Sequence, residues 1–198
     1  MSWLDDARRA AGLAPLTGFD PAPLVHAFPS ALARDAAVAL RAARKRLTAE
    51  QRSDPVTVVM DGETLLVPHR LYFGSPVPAI EGAANATLMT RCLETRSHDG
   101  FQRQRALHAL LADVRPWSAP FIALLIGDYV VEILADIDAA ASPAMASALA
   151  DFAAANPALW WLIRQRVASY WNVYYRGIAR ADYPGFRLVD RIQQALPR

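Results

Sequence analysis

Two carboxylates stand four residues apart in the most apolar stretch of the chain. Asp128 and Glu132 lie within residues 116–137, which read PWSAPFIALLIGDYVVEILADI. Residues four apart share one face of a helix, so these side chains would repel each other unless a cation, a metal ion or a proton lies between them. Charge pairing, metal binding and acid–base chemistry are therefore open, and an enzyme or small-ligand site near Asp128 and Glu132 is one alternative.

Arginines are the expected partners of these acids, because several lie in the segments just before the apolar stretch. We expect one or two of them to form charge-assisted hydrogen bonds with Asp128 or Glu132. Such a pair is no proof of function, since the cost of burial roughly offsets the attraction. The candidate buried charge network or pocket comprises Asp128, Glu132, Arg91, Arg96, Arg103 and Arg105.

Cysteine and histidine offer a weaker case for chemistry. Cys92, His98 and Asp99 are close in sequence, but a cysteine on an apolar helical face is typically a small buried hydrophobe. The four histidines show no metal-ligand spacing, and phosphate-binding glycine loops, G-x-S-x-G and H-E-x-x-H are absent. We assign no catalytic residue, metal ligand or cofactor, and a binding role is favoured over an enzyme.

The segment 158–175 is unusually aromatic, and Trp161 and Tyr175 fall outside its apolar stripe. Aromatic side chains are enriched at protein interfaces, and together with arginine they also stack bases and bind phosphates. A protein partner is therefore expected, with nucleic acid or another anionic partner as the alternative. The candidate partner-binding residues are Arg164, Trp161, Trp171 and Tyr175.

One long helix over residues 116–137 would position the two acids. It is apolar on nearly every face, and its uncharged part is about half of the ~20 residues that a membrane span needs, so we expect a buried central helix. Residues 56–67 predict a hairpin with an Asp61-Gly62 turn that pairs Val58 with Leu65. Further helices, one of them over residues 3–11, complete a mainly α bundle or short solenoid-like stack.

Residues 99–137 carry one pattern that is typical of a family. The run DGFQRQRALHALL, followed by PFIALLIGD, resembles one HEAT-like helix pair. In that family an aspartate opens the unit, arginine and Ala-Leu lie along the first helix, and a Pro-x-x-x-x-Leu run forms the second. The resemblance implies an α-solenoid-like scaffold with a concave binding surface. A clear second copy at the ~40-residue period of a repeat array is missing.

Bulk composition sets the remaining expectations. A chain of 198 residues that is 54% apolar with net charge +2 predicts one domain, with a hairpin insertion at 55–68. The single cysteine excludes an internal disulfide framework, and the N-terminus lacks the apolar core of a signal peptide, so we expect a cytoplasmic protein. The near-exclusive use of arginine over lysine indicates a GC-rich bacterial genome. The first functional expectation is a self-associating interaction or scaffold module.

Overall fold

The computed structural model describes residues 22–48 and 55–197. Within these ranges the fold is mainly α with one antiparallel hairpin, as predicted; the predicted helix over residues 3–11 lies outside them. The helices are α1 Ala33–Arg44, α2 Ala84–Glu94, α3 Gly100–Ala112, α4 Ala119–Ile126, α5 Val131–Ala140, α6 Pro143–Ala155, α7 Pro157–Tyr174 and α8 Pro184–Ala195. The strands are β1 Pro55–Met60 and β2 Glu63–Pro68, and short 3₁₀ turns cover Ala22–Ala27, Ser30–Leu32 and Pro116–Ser118.

Helix α4 forms the centre of the hydrophobic core. All of its residues are buried, and it packs against α5, α6 and α7. Its Phe121 also stacks on Phe28, with ring centroids 5.3 Å apart. Because neighbours cover this helix on several sides, an all-round apolar sequence is what its position requires.

The predicted single helix over residues 116–137 is wrong, because the chain leaves the helix after Ile126. Gly127 caps α4, and α5 begins only at Val131. In the connection, Asp128 Oδ1 accepts a hydrogen bond of 3.1 Å from the Val130 backbone N–H. Such side-chain bonds to nearby backbone compete with the helix. Asp128 and Glu132 therefore do not share a helix face.

The hairpin has the predicted register. Val58 pairs with Leu65 and Val56 with Val67, and the Asp61-Gly62 turn has positive φ at both residues. Val58, Leu65 and Val67 are buried. The inner face packs on α6 and on the 3₁₀ turn Ala22–Ala27, which fixes the hairpin to the helical body.

Side-chain caps begin two of the helices. Asp99 accepts from the Phe101 N–H at 2.9 Å, and Ser142 accepts from the Met145 N–H at 3.2 Å. Asn156 precedes α7 but its side chain makes no cap. It binds the Val59 backbone instead, with its Oδ1 2.7 Å from Val59 N and its Nδ2 2.7 Å from Val59 O.

The region that resembles a HEAT-like pair forms three helices in place of two. Helix α3 packs chiefly against α2 and α5, and the break at Gly127 separates α4 from α5. In the part of the chain that the structure describes, no single helix has the length and apolar character to cross a membrane. Helices α5 and α6 together satisfy that test by length and composition, with a bend of 118° between them.

Candidate functional site

Two irregular segments run side by side next to the break at Gly127. One follows β2, and the other follows the C-terminus of α2. Leu71 N–H donates to Arg96 O at 2.7 Å, and His98 N–H donates to Leu71 O at 2.8 Å. This pairing brings the side chains of both segments to the connection between α4 and α5.

Arg103 and Asp128 form a buried ion pair at this junction. Arg103 Nη2 donates to Asp128 Oδ1 at 2.9 Å, and its Nε lies 2.9 Å from Oδ2 in a geometry outside that of a hydrogen bond. Arg103 Nη1 donates at 3.1 Å to the carbonyls of both Ser97 and His98. The predicted pairing of an arginine with Asp128 is therefore present, and it also satisfies two loop carbonyls.

Arg96 is buried beside this pair and bonds to backbone carbonyls. Its Nε donates to Pro68 O at 3.0 Å and its Nη2 to His69 O at 2.7 Å. Burial lowers the pKa of Arg96 to about 9, with a further lowering by the charge of Arg70 and partial opposition from Asp128. A guanidinium held by carbonyl dipoles alone is unfavourable in a core, because it keeps its charge without a counterion of its own.

Arg166 on α7 brings a third guanidinium to the same place. Its stem crosses over Gly127, where a Cβ on the glycine would lie 3.4 Å from Arg166 Cδ. The charges of Arg103 and Arg166 both lower the pKa of Arg96, and Arg166 makes no hydrogen bond or ion pair with any described residue. We name Arg96, Arg103 and Arg166 the arginine cluster; among the described residues, the carboxylate beside it is that of Asp128.

Two further basic residues border the cluster. Arg70 Nη1 donates to Ser97 O at 3.0 Å, and burial, followed by the charge of Arg103, lowers the pKa of Arg70. His69 is half-buried, and burial together with the charges of Arg96 and Arg166 lowers the pKa of its imidazole. The local field is therefore positive enough to disfavour additional cations.

A row of tyrosines lies next to the arginine cluster. The guanidinium of Arg103 lies 5.6 Å from the ring centre of Tyr129. Tyr129 is 6.1 Å from Tyr170, which is 6.3 Å from Tyr174. We name Tyr129, Tyr170 and Tyr174 the tyrosine row. Tyr175 fixes its inner end, since the Tyr175 hydroxyl donates to Tyr129 O at 2.8 Å.

Tyr183 places a buried hydroxyl behind this row. Its ring stacks on Tyr175 at 5.5 Å, and its hydroxyl has no hydrogen-bond partner among the described residues. Burial, followed by the charges of Tyr175 and Asp128, raises the pKa of Tyr183 to about 12. The site thus contains an unpaired donor near Asp128.

Several predicted site residues lie elsewhere. Glu132 is exposed in the first turn of α5. Arg91 pairs with the buried Glu94. These two residues and Arg105 line a separate pocket of about 240 Å³. Glu94 also accepts from Val77 N–H at 2.7 Å and from Gln102 at 3.0 Å. The predicted residues therefore belong to two separate networks, one around Asp128 and one around Glu94. The sequence analysis did not identify Glu94.

The predicted partner-binding residues also separate. Arg164 and Trp161 are exposed on a face of α7 that points away from Arg166 and Tyr170. Trp171 is half-buried and donates from Nε1 to Ile178 O at 3.0 Å, so its polar atom is used inside the fold. Tyr175 alone adjoins the arginine cluster, through Tyr129.

Sequence reasoning missed Arg70, Arg166, Tyr129, Tyr170 and Tyr183 as site residues. The position of Tyr129 next to Asp128 in the sequence was the signal that could have found one of them.

Cys92 is fully buried, and burial raises the pKa of its thiol, which fits the predicted hydrophobic role. Across residues 22–48 and 55–197, no group of three or more His, Cys, Asp or Glu side chains is arranged to hold a metal ion.

Comparison with protein-family profiles, with curated proteins and with solved structures gave no match to this chain.

Proposed function

We propose that this protein binds an anionic partner, through phosphate-like groups, at the arginine cluster. The observation that carries the proposal is an imbalance of charge among the described residues: Arg103 and Arg166 both interact electrostatically with Arg96, and the carboxylate that meets Arg96 and Arg103 there is that of Asp128. Guanidinium groups are weakly hydrated and present planar sets of donors, so they bind phosphate and carboxylate groups well. A bound anion would neutralise charge that the fold keeps at a cost.

The contacts of each arginine support different roles within the site. Arg103 donates its hydrogen bonds to Asp128 and to the loop carbonyls, so its role is to hold the buried base of the site in place. Arg96 supplies buried positive charge through the wall formed by Pro68 and His69. Arg166 is half-buried with its guanidinium unpaired among the described residues, so it is the donor best placed to meet a ligand.

Thermal unfolding in sodium pyrophosphate, compared with sodium chloride at equal ionic strength, tests the proposal. At a ligand concentration tenfold above Kd, binding stabilises by about 1.4 kcal/mol, which raises Tm by about 3–6 °C for a chain of this size. Arg166→Gln should remove this rise. The matched control is Arg164→Gln, because Arg164 is exposed about 160° around the same helix and loses the same charge.

Three results would contradict anion binding at this site. They are an equal rise in chloride, a rise that Arg166→Gln leaves intact, and a rise that Arg164→Gln removes to the same extent. The first would indicate a general salt effect, and the others would place the anion elsewhere.

A second candidate is a protein interface on the outer face of α7. Trp161 is 60% exposed, the adjacent Leu162 is 39% exposed, and Val173, about three turns further along the helix, is 63% exposed. Exposed large apolar side chains of this kind are typical of association surfaces. The test is light scattering over a range of protein concentrations. A rising mean mass that Trp161→Ser abolishes would support self-association, and a constant monomer mass would contradict it.

A further inference from the structure

We infer that the anionic partner is a single-stranded nucleic acid whose phosphates meet Arg166, the accessible member of the arginine cluster, and whose bases stack on the tyrosine row. This inference rests on the proposed anion site and adds the identity of the ligand. It comes from the juxtaposition of Arg166 with the tyrosine row, since Arg166, Tyr170 and Tyr174 follow one another at intervals of four residues and so lie along one side of α7. Phosphate-binding and base-stacking groups therefore adjoin one another.

The charge around the row suits a polyanion. Residues 157–181 contain four arginines and no aspartate or glutamate, so α7 adds no repulsion toward phosphates. Asp128, the acid beside the row, is already neutralised by Arg103. A strand that runs along α7 would meet positive or neutral side chains of that helix throughout, which favours the binding of a single strand.

The rings of the row are accessible for stacking. Tyr129 is 47% exposed and Tyr174 is 64% exposed, while Tyr170 between them is half-buried. Tyr170 and Tyr174 are four residues apart on α7, so they lie on one side of the helix, about 6 Å apart along its axis. Exposed aromatic rings in succession serve as platforms for successive bases because every base has a flat apolar face.

The arrangement favours a single strand over two other anionic partners. In a duplex the bases are stacked on one another, so their faces cannot reach the tyrosines. A phosphorylated peptide would satisfy the arginine cluster and leave the tyrosine row without flat groups to cover it. A strand of several nucleotides occupies both features at once.

Fluorescence anisotropy tests the inference with three probes: a labelled oligothymidylate of about 12 nucleotides, an abasic oligomer of equal length, and a labelled duplex. We expect the oligothymidylate to bind most tightly, with log K falling by about 0.7 per unit of log salt for each phosphate contact. Tyr174→Leu should weaken its binding by about 5- to 100-fold and leave abasic binding unchanged. Trp161→Leu is the matched control, as an exposed aromatic nine residues from Tyr170 and on the opposite side of α7.

The outcomes separate the ligand from the site. Equal binding of the abasic oligomer and the oligothymidylate, with Arg166→Gln weakening both, would overturn the nucleic-acid inference and leave the anion site standing. Tighter binding of the duplex, or equal losses in Tyr174→Leu and Trp161→Leu, would also overturn it. If all three probes and pyrophosphate fail to bind, the proposed function falls as well.

Discussion

Arg103 joins three parts of the chain that are far apart in sequence. It lies on α3, its carboxylate partner is 25 residues further on, and its Nη1 donates to the carbonyls that end the α2–α3 connection. Both members of the pair are nearly inaccessible to solvent, with 1% and 4% of their side chains exposed. In such a site a lone charge is far more costly than the matched pair.

Removing one member of this pair should therefore destabilise the fold strongly. We expect Arg103→Met to lower the free energy of unfolding by about 3–5 kcal/mol, because Asp128 would stay buried without its cation. Urea unfolding measures the change. Arg115→Met is the control: its pair with Asp113 is about half exposed, so the loss should be about 0–1 kcal/mol.

The double variant Arg103→Met/Asp128→Leu should be less destabilised than the sum of the two single variants, since it removes both members of the matched pair together. Additive losses in this double-mutant cycle would show that the two side chains act independently and would contradict a coupled pair.

Tyr183 gives the opposite expectation at the same scale. Its hydroxyl is buried without a partner among the described residues, so Tyr183→Phe should raise the free energy of unfolding at neutral pH by about 1 kcal/mol. A loss of stability in urea unfolding would instead show that the hydroxyl has a hydrogen-bond partner in solution.

The pH dependence of Tyr183→Phe follows from the pKa, which rises from 10.0 to about 12 on folding. As the pH rises, this phenol ionises in the unfolded chain before it ionises in the folded one. The stability that the pKa difference contributes is therefore fully present below pH 10 and is lost as the pH rises toward 12. Phenylalanine cannot ionise. The variant should therefore lose less stability than the wild type between pH 10 and 12, and parallel curves of unfolding free energy against pH would contradict this.

At the scale of elements, two glycines set how closely helices approach. Gly127 allows the stem of Arg166 to cross the end of α4, and Gly185, at the start of α8, lies against Tyr183 and Val167 of α7. These contacts fix α7 relative to the connection that carries Asp128 and Tyr129. The arginine cluster and the tyrosine row therefore depend on helix spacing as well as on their own side chains.

Gly185→Ala should disturb this packing. A Cβ would lie 2.8 Å from Tyr183 Cε1 and 2.9 Å from Val167 Cγ1, both too close for a carbon contact. We expect a loss of about 1–3 kcal/mol in the free energy of unfolding, despite the better helix propensity of alanine. Gly177→Ala, with nothing within 4 Å of the added Cβ, should be neutral or slightly stabilising. Equal effects of the two substitutions on chemical unfolding would rule out the steric explanation.

At the scale of the whole molecule, the hairpin is attached to the helical body by apolar packing and by several side-chain hydrogen bonds, one set of which is made by Asn156. Asn156 binds both the N–H and the carbonyl of Val59, as a neighbouring strand would, and also donates to Phe152 O at 2.9 Å. A two-stranded hairpin is marginal alone in water, so this attachment determines whether it stays ordered.

Asn156→Ala should loosen the hairpin and cost about 1–3 kcal/mol, because it removes three hydrogen bonds at a site that is nearly buried. Hydrogen exchange should accelerate at Val59 N–H in particular. Asn172→Ala removes an exposed amide from α7 and should change stability by no more than about 0.5 kcal/mol. Unchanged exchange at Val59 in Asn156→Ala would mean that the amide does not secure the strand.

The sequence by itself determined the features that depend on neighbours along the chain. The mainly α class, the register of the hairpin and the caps at Asp99 and Ser142 follow from periodicity, turn residues and local hydrogen bonds. The burial of the apolar run over residues 119–126 also followed, because a helix that is apolar on every face has few stable positions outside a core.

Only the tertiary structure decided which distant residues meet. Asp128 lies outside the helix because its side chain accepts hydrogen bonds from both Val130 N–H and Arg103. Asn156 does not cap α7 because its side chain binds the edge of β1 instead. The arginine cluster and the tyrosine row form where the α2–α3 connection, the α4–α5 connection and α7 converge. Periodicity cannot specify that convergence, because it is set by the packing of whole helices and by charges that interact across space.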